Sequence, residues 1–331
     1  MTTPPEKLPT LSGSVAPVRE WARTFAIGIC MGSADAVPGV SGGTIALIAG
    51  IYGRLIAMIN ALTPTRIVTF LKALTPLAGG FDLRGALSIF DEVDGWFGLA
   101  LVVGVGMAVI LVTRAVHVLN ESYPTLLFGF FFGLIAASAV VLLRELTVDS
   151  AFQVAAGVVG FTIAFLLAGP VEFLESHALI IVFVAGAVAV SAMILPGISG
   201  SLLLIILGQY TFMSDTLSRF IDGLIAVVTG GSTATLVEDA VLVVTFIGGG
   251  FLGLFTVSRV VRRALDRNRR ATMTFLVALV VGALRAPVQE VQDEVGFSTD
   301  VLVAFAGAAV VGSVFLLVLD WFAVDLDLDS V

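Results

Sequence analysis

Two short stretches interrupt apolar segments with residue types that suit an anion. SADAVPGVSGGT (33–44) and SAMILPGISGS (191–201) share a Pro-Gly-x-Ser-Gly core, followed by an apolar run that predicts a helix. A helix N-terminus presents unbonded N–H groups and a partial positive charge, and neighbouring hydroxyls add donors. The sequence therefore predicts an anion site formed by Ser41, Gly42, Gly43, Thr44, Ser199, Gly200 and Ser201. The alternative is that these small residues serve only close helix packing.

The residues before each serine predict a sharp turn. Proline disfavours helix in the residue that precedes it and lacks a donor, and glycine permits a reversal. We expect these turns at Pro38 with Gly39 and at Pro196 with Gly197.

Two charged residues lie in segments that are otherwise apolar. Asp35 is the only acidic residue of the first stretch, and Met193 holds the matching position in the second. A carboxylate within a membrane is costly, so Asp35 either carries a proton or accepts a hydrogen bond that stabilises the turn. Arg285, in VGALRAP, is a candidate to pair with an anionic headgroup.

The composition predicts a membrane protein. Of the 331 residues, 58% are hydrophobic and 13% are charged, which leaves more apolar surface than a soluble domain can bury. Membrane helices are expected near 97–118, 125–143, 151–169, 240–260, 271–286 and 300–322. With one cysteine and two histidines, we expect neither a disulfide nor a metal centre, and no cofactor is predicted.

An internal repeat organises the chain. Residues 33–52 align without gaps to 191–210, which predicts two repeats, 19–170 and 171–323. Each repeat comprises a re-entrant helical hairpin (21–59, 177–213), an interfacial segment (61–94, 214–237) and three spans. A single discontinuous span is the alternative to each hairpin. The ends are predicted to be a disordered tail over 1–18 and an acidic tail over 324–331.

Charge placement predicts the topology. With cytoplasmic termini and re-entrant hairpins, every one of the 17 lysines and arginines except Arg114, Arg219 and Arg285 lies on the cytoplasmic side. Three spans per repeat is an odd number, so the second repeat is expected to be inverted. The two hairpins then enter from opposite faces and meet near the midplane, a pattern typical of transporters.

The stretch GICMGSADAVPGVSGGTIALIAGIYGRLI (28–56) resembles the signature of the DUF368 family of membrane proteins, and LPGISGSLLLIILGQY and GALRAP are similar to its later motifs. The resemblance implies a polyprenyl-phosphate transporter, a flippase that returns the spent lipid carrier of cell-envelope glycan or glycoprotein synthesis across the plasma membrane. Carried onto this chain, the family motifs cover Asp35, Pro38, Gly39, Ser41, Gly42, Gly43 and Thr44, then Pro196, Gly197, Ser199, Gly200 and Ser201, with Arg285 beside them. The implied cargo is undecaprenyl phosphate or, for an archaeal source, a dolichyl-type phosphate.

Two other functions compete with this interpretation. A small-anion transporter or channel would use the same turns. A polyprenyl-pyrophosphate phosphatase also has a P-G-x-S element, but that chemistry needs an arginine after the serine, where Ser41 and Ser199 are followed by glycine. The expected partners are the lipid phosphate, the bilayer and a further copy of the chain, without nucleic acid.

Overall fold

The computed structural model describes residues 18–73, 82–144, 146–169, 177–192, 199–231 and 233–328. Within these ranges the regular structure is entirely helical, which confirms the predicted all-α class. The helices are Val18–Ala36, Gly42–Ile48, Tyr52–Ala61, Pro64–Ala73, Leu83–Glu92, Gly95–Ser122, Pro124–Arg144, Ala151–Leu167, Leu179–Ala192, Gly200–Ile206, Tyr210–Thr229, Leu236–Ala283, Arg285–Glu294 and Thr299–Leu328.

Five stretches among the described residues are long and apolar enough to cross a membrane. They are Gly95–Ser122, Pro124–Arg144, Leu236–Val261, Arg263–Glu294 and Thr299–Trp321. The long helix 236–283 changes direction at Asn268, whose backbone is not helical. The sixth predicted span is also a helix, Ala151–Leu167, but its 17 residues reach only about 25 Å.

The first predicted hairpin, 21–59, was expected to turn once, at Pro38 and Gly39, and then to continue as one helix over 43–59. The structure differs from that expectation. The helix Gly42–Ile48 ends at a turn in which Gly50 has φ +69°, and the chain bends by 119° into Tyr52–Ala61. The second copy also has a glycine turn, at Gly208 with φ +63°, between the helices Gly200–Ile206 and Tyr210–Thr229. The prediction was wrong because a single glycine is tolerated inside an apolar helix and does not by itself indicate a turn.

Glycine contacts also repeat between the two halves. Gly28 lies against the carbonyl of Leu101, and its equivalent Gly186 lies against the carbonyl of Phe246. A second pair of contacts has the same register: Gly104 against the carbonyl of Phe25, and Gly249 against that of Phe183. The helix Val18–Ala36 therefore packs closely on Gly95–Ser122, and Leu179–Ala192 packs closely on Leu236–Ala283, in both cases through glycines.

The chain divides into two compact units. One contains the residues up to Gly32 together with Ile45–Ala108, and its core is formed by Met31, Ala46, Phe97 and Leu101. The other contains Ser33–Thr44 and all residues from Val109 onward. Its two apolar clusters centre on Phe128, Phe131 and Leu134, and on Ile135, Leu202 and Val280.

Within this second unit, two helices from the first half of the chain each pack on a helix from the second half. Pro124–Arg144 packs on Thr299–Leu328, where Gly133 lies against Ala309, and Ala151–Leu167 packs on the later part of Leu236–Ala283, where Gly160 lies against Phe275. The helix predicted as the second span of each repeat therefore contacts the helix predicted as the third span of the other.

Candidate functional site

The first tip is a tight turn over residues 37–41. The helix Val18–Ala36 ends there, Pro38 is buried, and Gly39 has φ +88°. A side chain at Gly39 would lie 3.1–3.2 Å from the backbone of Leu134 and Ile135. Glycine is therefore required at position 39 for two reasons: the backbone angle is left-handed, and a side chain would meet the neighbouring backbone.

Ser41 is the residue of this tip best placed to bind a ligand. Its side chain is more than nine-tenths buried, and its hydroxyl has no hydrogen-bond partner. The oxygen lies beside Gly43, at the start of the helix Gly42–Ile48. Because a buried hydroxyl without a partner costs free energy, it is a donor available to a ligand.

Asp35 contacts the start of the same helix. Its Oδ1 accepts a hydrogen bond of 2.7 Å from the backbone N–H of Gly42. The carboxylate also leaves no room for a side chain at Gly42. Asp35 therefore makes the turn-stabilising hydrogen bond that was one of its two interpretations.

The second tip is described from Ser199 onward, and Pro196 and Gly197 lie outside the described residues. Ser199 and Ser201 are both buried, and their hydroxyl oxygens are 2.8 Å apart. Ser199 precedes the helix Gly200–Ile206 in extended conformation, and its side chain does not cap that helix. The position of Asp35 corresponds to Met193 in this copy, so its carboxylate has no counterpart here.

Arg285 begins the helix Arg285–Glu294 and is positioned by Phe165. Its Nη1 donates a hydrogen bond of 2.8 Å to the Phe165 carbonyl, and the guanidinium lies 4.5 Å from the centre of the Phe165 ring. Gly169 adjoins the guanidinium on another side. Within the part of the chain that the structure describes, no carboxylate lies within 4 Å of Arg285, unlike Arg54, Arg114 and Arg219.

The first tip, the helix after the second tip and the segment of Arg285 contact the same core. Val37 and Val40 of the first tip pack on the cluster that contains Phe131, Ile205 and Ala286. Leu202 and Ile206, after the second tip, pack with Val280 and Ala283 just before Arg285. The structure thus brings these three elements to one region, although no hydrogen bond among the described residues joins Arg285 to Ser41, Ser199 or Ser201.

Tyr210 is a member of this region that sequence reasoning did not assign to it. It is buried, and its hydroxyl donates a hydrogen bond of 2.8 Å to the carbonyl of Ala36. Its ring packs edge-on against Phe131. The available signal was the match of Tyr52 with Tyr210 in the two repeats, but a repeated tyrosine does not reveal its partner.

Several other charged residues of the helices form ion pairs. Arg54 donates two hydrogen bonds to the carboxylate of Asp94, from Nε at 2.6 Å and from Nη2 at 3.0 Å, and its guanidinium lies over the ring of Phe97. Arg114 pairs with Asp222, and His117 contacts Asp215 at 2.7 Å. These arginines are therefore less available to a phosphate than Arg285.

The long apolar helices define the class: this is a polytopic α-helical membrane protein. The chain belongs to the VCA0040-like family, described as undecaprenyl phosphate translocase-like, whose family model matches residues 31–301. It is 31% identical over 264 residues to a polyprenyl-phosphate transporter of Vibrio cholerae serotype O1, a match that covers 79% of this chain and 75% of that relative.

A polyprenyl-phosphate transporter of Staphylococcus aureus is 27% identical over 272 residues, which cover 78% of this chain and 83% of that protein. No solved structure gives a significant match. The family confirms the resemblance found in the sequence motifs.

Proposed function

We propose that this chain is a flippase that returns polyprenyl phosphate across the cytoplasmic membrane during cell-envelope glycan or glycoprotein synthesis. The observation that carries the proposal is the buried hydroxyl of Ser41, which has no hydrogen-bond partner and lies at the start of a helix. The tip that contains Ser41 packs on the same core as the helix after the second tip and the segment of Arg285. Membership of a translocase-like family and the names of both relatives support it.

The phosphate headgroup is bound by the two tips and Arg285 in turn. The donors at and just after the first tip are Ser41, Gly42, Gly43 and Thr44. The donors at and just after the second tip are Ser199, Gly200 and Ser201. Arg285 lacks a carboxylate partner among the described residues, so its guanidinium is a suitable charged donor for a phosphate. Only the headgroup needs this polar path, because the prenyl chain is apolar and can cross the membrane within the lipid.

Asp35 couples transport to protons. Its carboxylate holds the N–H of Gly42, one of the groups that the phosphate would use. Two anions at one helix start repel each other, so binding of the phosphate favours a protonated or displaced Asp35. A proton taken up there and released after transport would accompany each headgroup.

An inverted-repeat arrangement fits this function. The exchanged packing of second and third spans has the form expected of two repeats related by a two-fold axis. Arg270, within the helix Leu236–Ala283, pairs with Asp149, so the ion pair joins two segments assigned to the cytoplasmic side. His117 contacts Asp215, joining two segments assigned to the outside, and the termini are accordingly proposed to be cytoplasmic.

A transport assay separates this function from its competitors. Liposomes carry polyprenyl phosphate in one leaflet, with and without the protein, and both headgroup accessibility and released phosphate are measured. A flippase makes the headgroups of both leaflets accessible without releasing phosphate. Accessibility equal to that of empty liposomes contradicts the proposal, released phosphate supports a phosphatase, and movement of chloride or free phosphate alone supports a small-anion transporter.

A further inference from the structure

A pocket of about 350 Å³ lies in the first compact unit, outside the site described above. It is enclosed by the helices Tyr52–Ala61, Pro64–Ala73 and Leu83–Glu92 and by the first turns of Gly95–Ser122. Apart from Arg66, every residue that lines it is apolar. Its volume falls within the range of about 300–1,000 Å³ that is usual for small-molecule sites.

The walls of the pocket suit a hydrocarbon chain. Gly98 lies against the sulfur of Met58, and Gly95 lies against the ring of Phe90. The rings of Phe70 and Phe90 stack with centres 6.2 Å apart. An apolar wall offers water no hydrogen bonds, so a hydrocarbon occupant is favoured.

The mouth of the pocket opens onto an apolar surface. Leu62, Ile67, Leu99 and Val102 line the pocket and are at the same time exposed. The helix Gly95–Ser122 is long and apolar enough to span the membrane and begins at this pocket. The pocket therefore lies near one end of a span, where hydrocarbon chains adjoin their headgroups.

Arg66 supplies a cation to the lining of this apolar pocket. Its Nη1 donates a hydrogen bond of 3.1 Å to the carbonyl of Ala61, which fixes the guanidinium there. Its contact with Glu92 is long, at 3.7 Å, and both side chains are substantially exposed. Exposed pairs of this kind contribute little, so an anionic headgroup can replace Glu92.

We propose that this pocket binds part of the prenyl chain of polyprenyl phosphate, with Arg66 contacting the phosphate. This inference rests on the proposed function and adds a docking station for the lipid before or after translocation. The choice of polyprenyl phosphate as the occupant follows from the guanidinium of Arg66, which suits a phosphate, and from the rings of Phe70 and Phe90. The planar double bonds and branching methyl groups of a prenyl chain pack on such rings, and a saturated acyl chain has neither.

Two adjacent valines give a matched test. Val102 lines the pocket and is 63% exposed, whereas Val103 is 49% exposed and does not line it. Val102→Trp and Val103→Trp are purified, their thermal unfolding is compared with wild type, and binding of undecaprenyl phosphate is measured in detergent. Leu99→Trp serves as a second lining variant if Val102→Trp does not fold.

We expect Val102→Trp to weaken the binding of undecaprenyl phosphate about tenfold, because the tryptophan displaces a few buried methylene-sized groups. Val103→Trp is expected to bind like wild type. Geranyl phosphate and phosphatidylglycerol are tested as competitors: the first should compete, and the second should not. Arg66→Gln should weaken binding of undecaprenyl phosphate but not of undecaprenol, and Arg84→Gln, an exposed arginine outside the pocket, should change neither.

The outcomes separate this inference from the proposed function. If wild type binds and transports undecaprenyl phosphate but the two valine variants bind it equally, the pocket proposal is wrong and the function stands. If phosphatidylglycerol competes as well as geranyl phosphate, the pocket is a general lipid site and the proposal is overturned. If wild type does not bind undecaprenyl phosphate at all, both proposals fail.

Discussion

The hydroxyl of Tyr210 donates a hydrogen bond of 2.8 Å to the carbonyl of Ala36, a residue 174 positions earlier in the chain. Ala36 is the last residue of the helix before the first tip, and Tyr210 is the first residue of Tyr210–Thr229, the second helix after the second tip. The bond therefore joins the two copies of the repeated motif directly. It also satisfies one of the carbonyl groups that a helix end leaves without a partner.

Tyr210→Phe should lower stability by about 0.5–1.5 kcal/mol, the usual net contribution of one hydrogen bond. The ring remains packed on Phe131, so the loss reports the hydroxyl alone. Thermal unfolding of the detergent-purified protein measures the change. Tyr123→Phe is the control, because Tyr123 is 59% exposed and should leave the midpoint unchanged. Equal midpoints for both variants would show that the bond contributes nothing.

Gly39→Ala should destabilise the protein more than Gly50→Ala does. Both glycines have positive φ, so each alanine carries a backbone cost of about 1–2 kcal/mol. Only at Gly39 does the added carbon also meet a neighbouring backbone, whereas nothing lies within 4 Å of it at Gly50. Crowding of this kind typically costs about 1–3 kcal/mol more. Comparison of the two unfolding midpoints tests the first turn. A larger loss of stability for Gly50→Ala than for Gly39→Ala would contradict the geometry described at Gly39.

Asp35→Asn should retain the turn and abolish proton coupling. The amide oxygen of asparagine can still accept the hydrogen bond of Gly42, but the side chain no longer takes up or releases a proton. Asp35→Ala removes the acceptor as well and should lose about 1 kcal/mol of stability. Transport is measured in proteoliposomes with and without an imposed pH gradient. If Asp35→Asn responds to the gradient as wild type does, Asp35 is a structural residue only.

Asp94→Gly should be more stable than Asp94→Ala. Asp94 is the one non-glycine residue with positive φ in the described part of the chain, at +54°. Both substitutions remove the ion pair with Arg54, so their difference isolates the backbone cost of about 1–2 kcal/mol. Unfolding midpoints measure this difference. Equal stability of the two variants would be inconsistent with a left-handed backbone at this position.

Much of the helical architecture could be predicted because apolar length determines it. Each of the six predicted windows falls on a helix, and the break at Pro38 and Gly39 lies where the sequence predicted it. The turns at Gly50 and Gly208 were missed although both glycines are shared by the repeats. An apolar run around one glycine fits a straight helix equally well, and only tertiary packing decides.

The contacts that the residues of the candidate site make could not be predicted from the sequence. The motif positions of Ser41 and Arg285 could be selected by residue type, but their surroundings could not. Arg54 and Arg285 both lie in apolar segments, and only the structure distinguishes the arginine paired with Asp94 from the arginine held by the Phe165 carbonyl. Such partners lie 40 and 120 positions away, and no local pattern encodes them.

The most direct measurement is the rate at which undecaprenyl phosphate headgroups move between leaflets in proteoliposomes containing Arg285→Ala. A charge-assisted hydrogen bond contributes about 1.5–3 kcal/mol, so the rate should fall about tenfold or more, with partial recovery in Arg285→Lys. Arg114→Ala should transport at nearly the wild-type rate, because Arg114 is exposed and paired with Asp222. Wild-type transport by a correctly folded Arg285→Ala protein would contradict the assignment of Arg285 to the headgroup path.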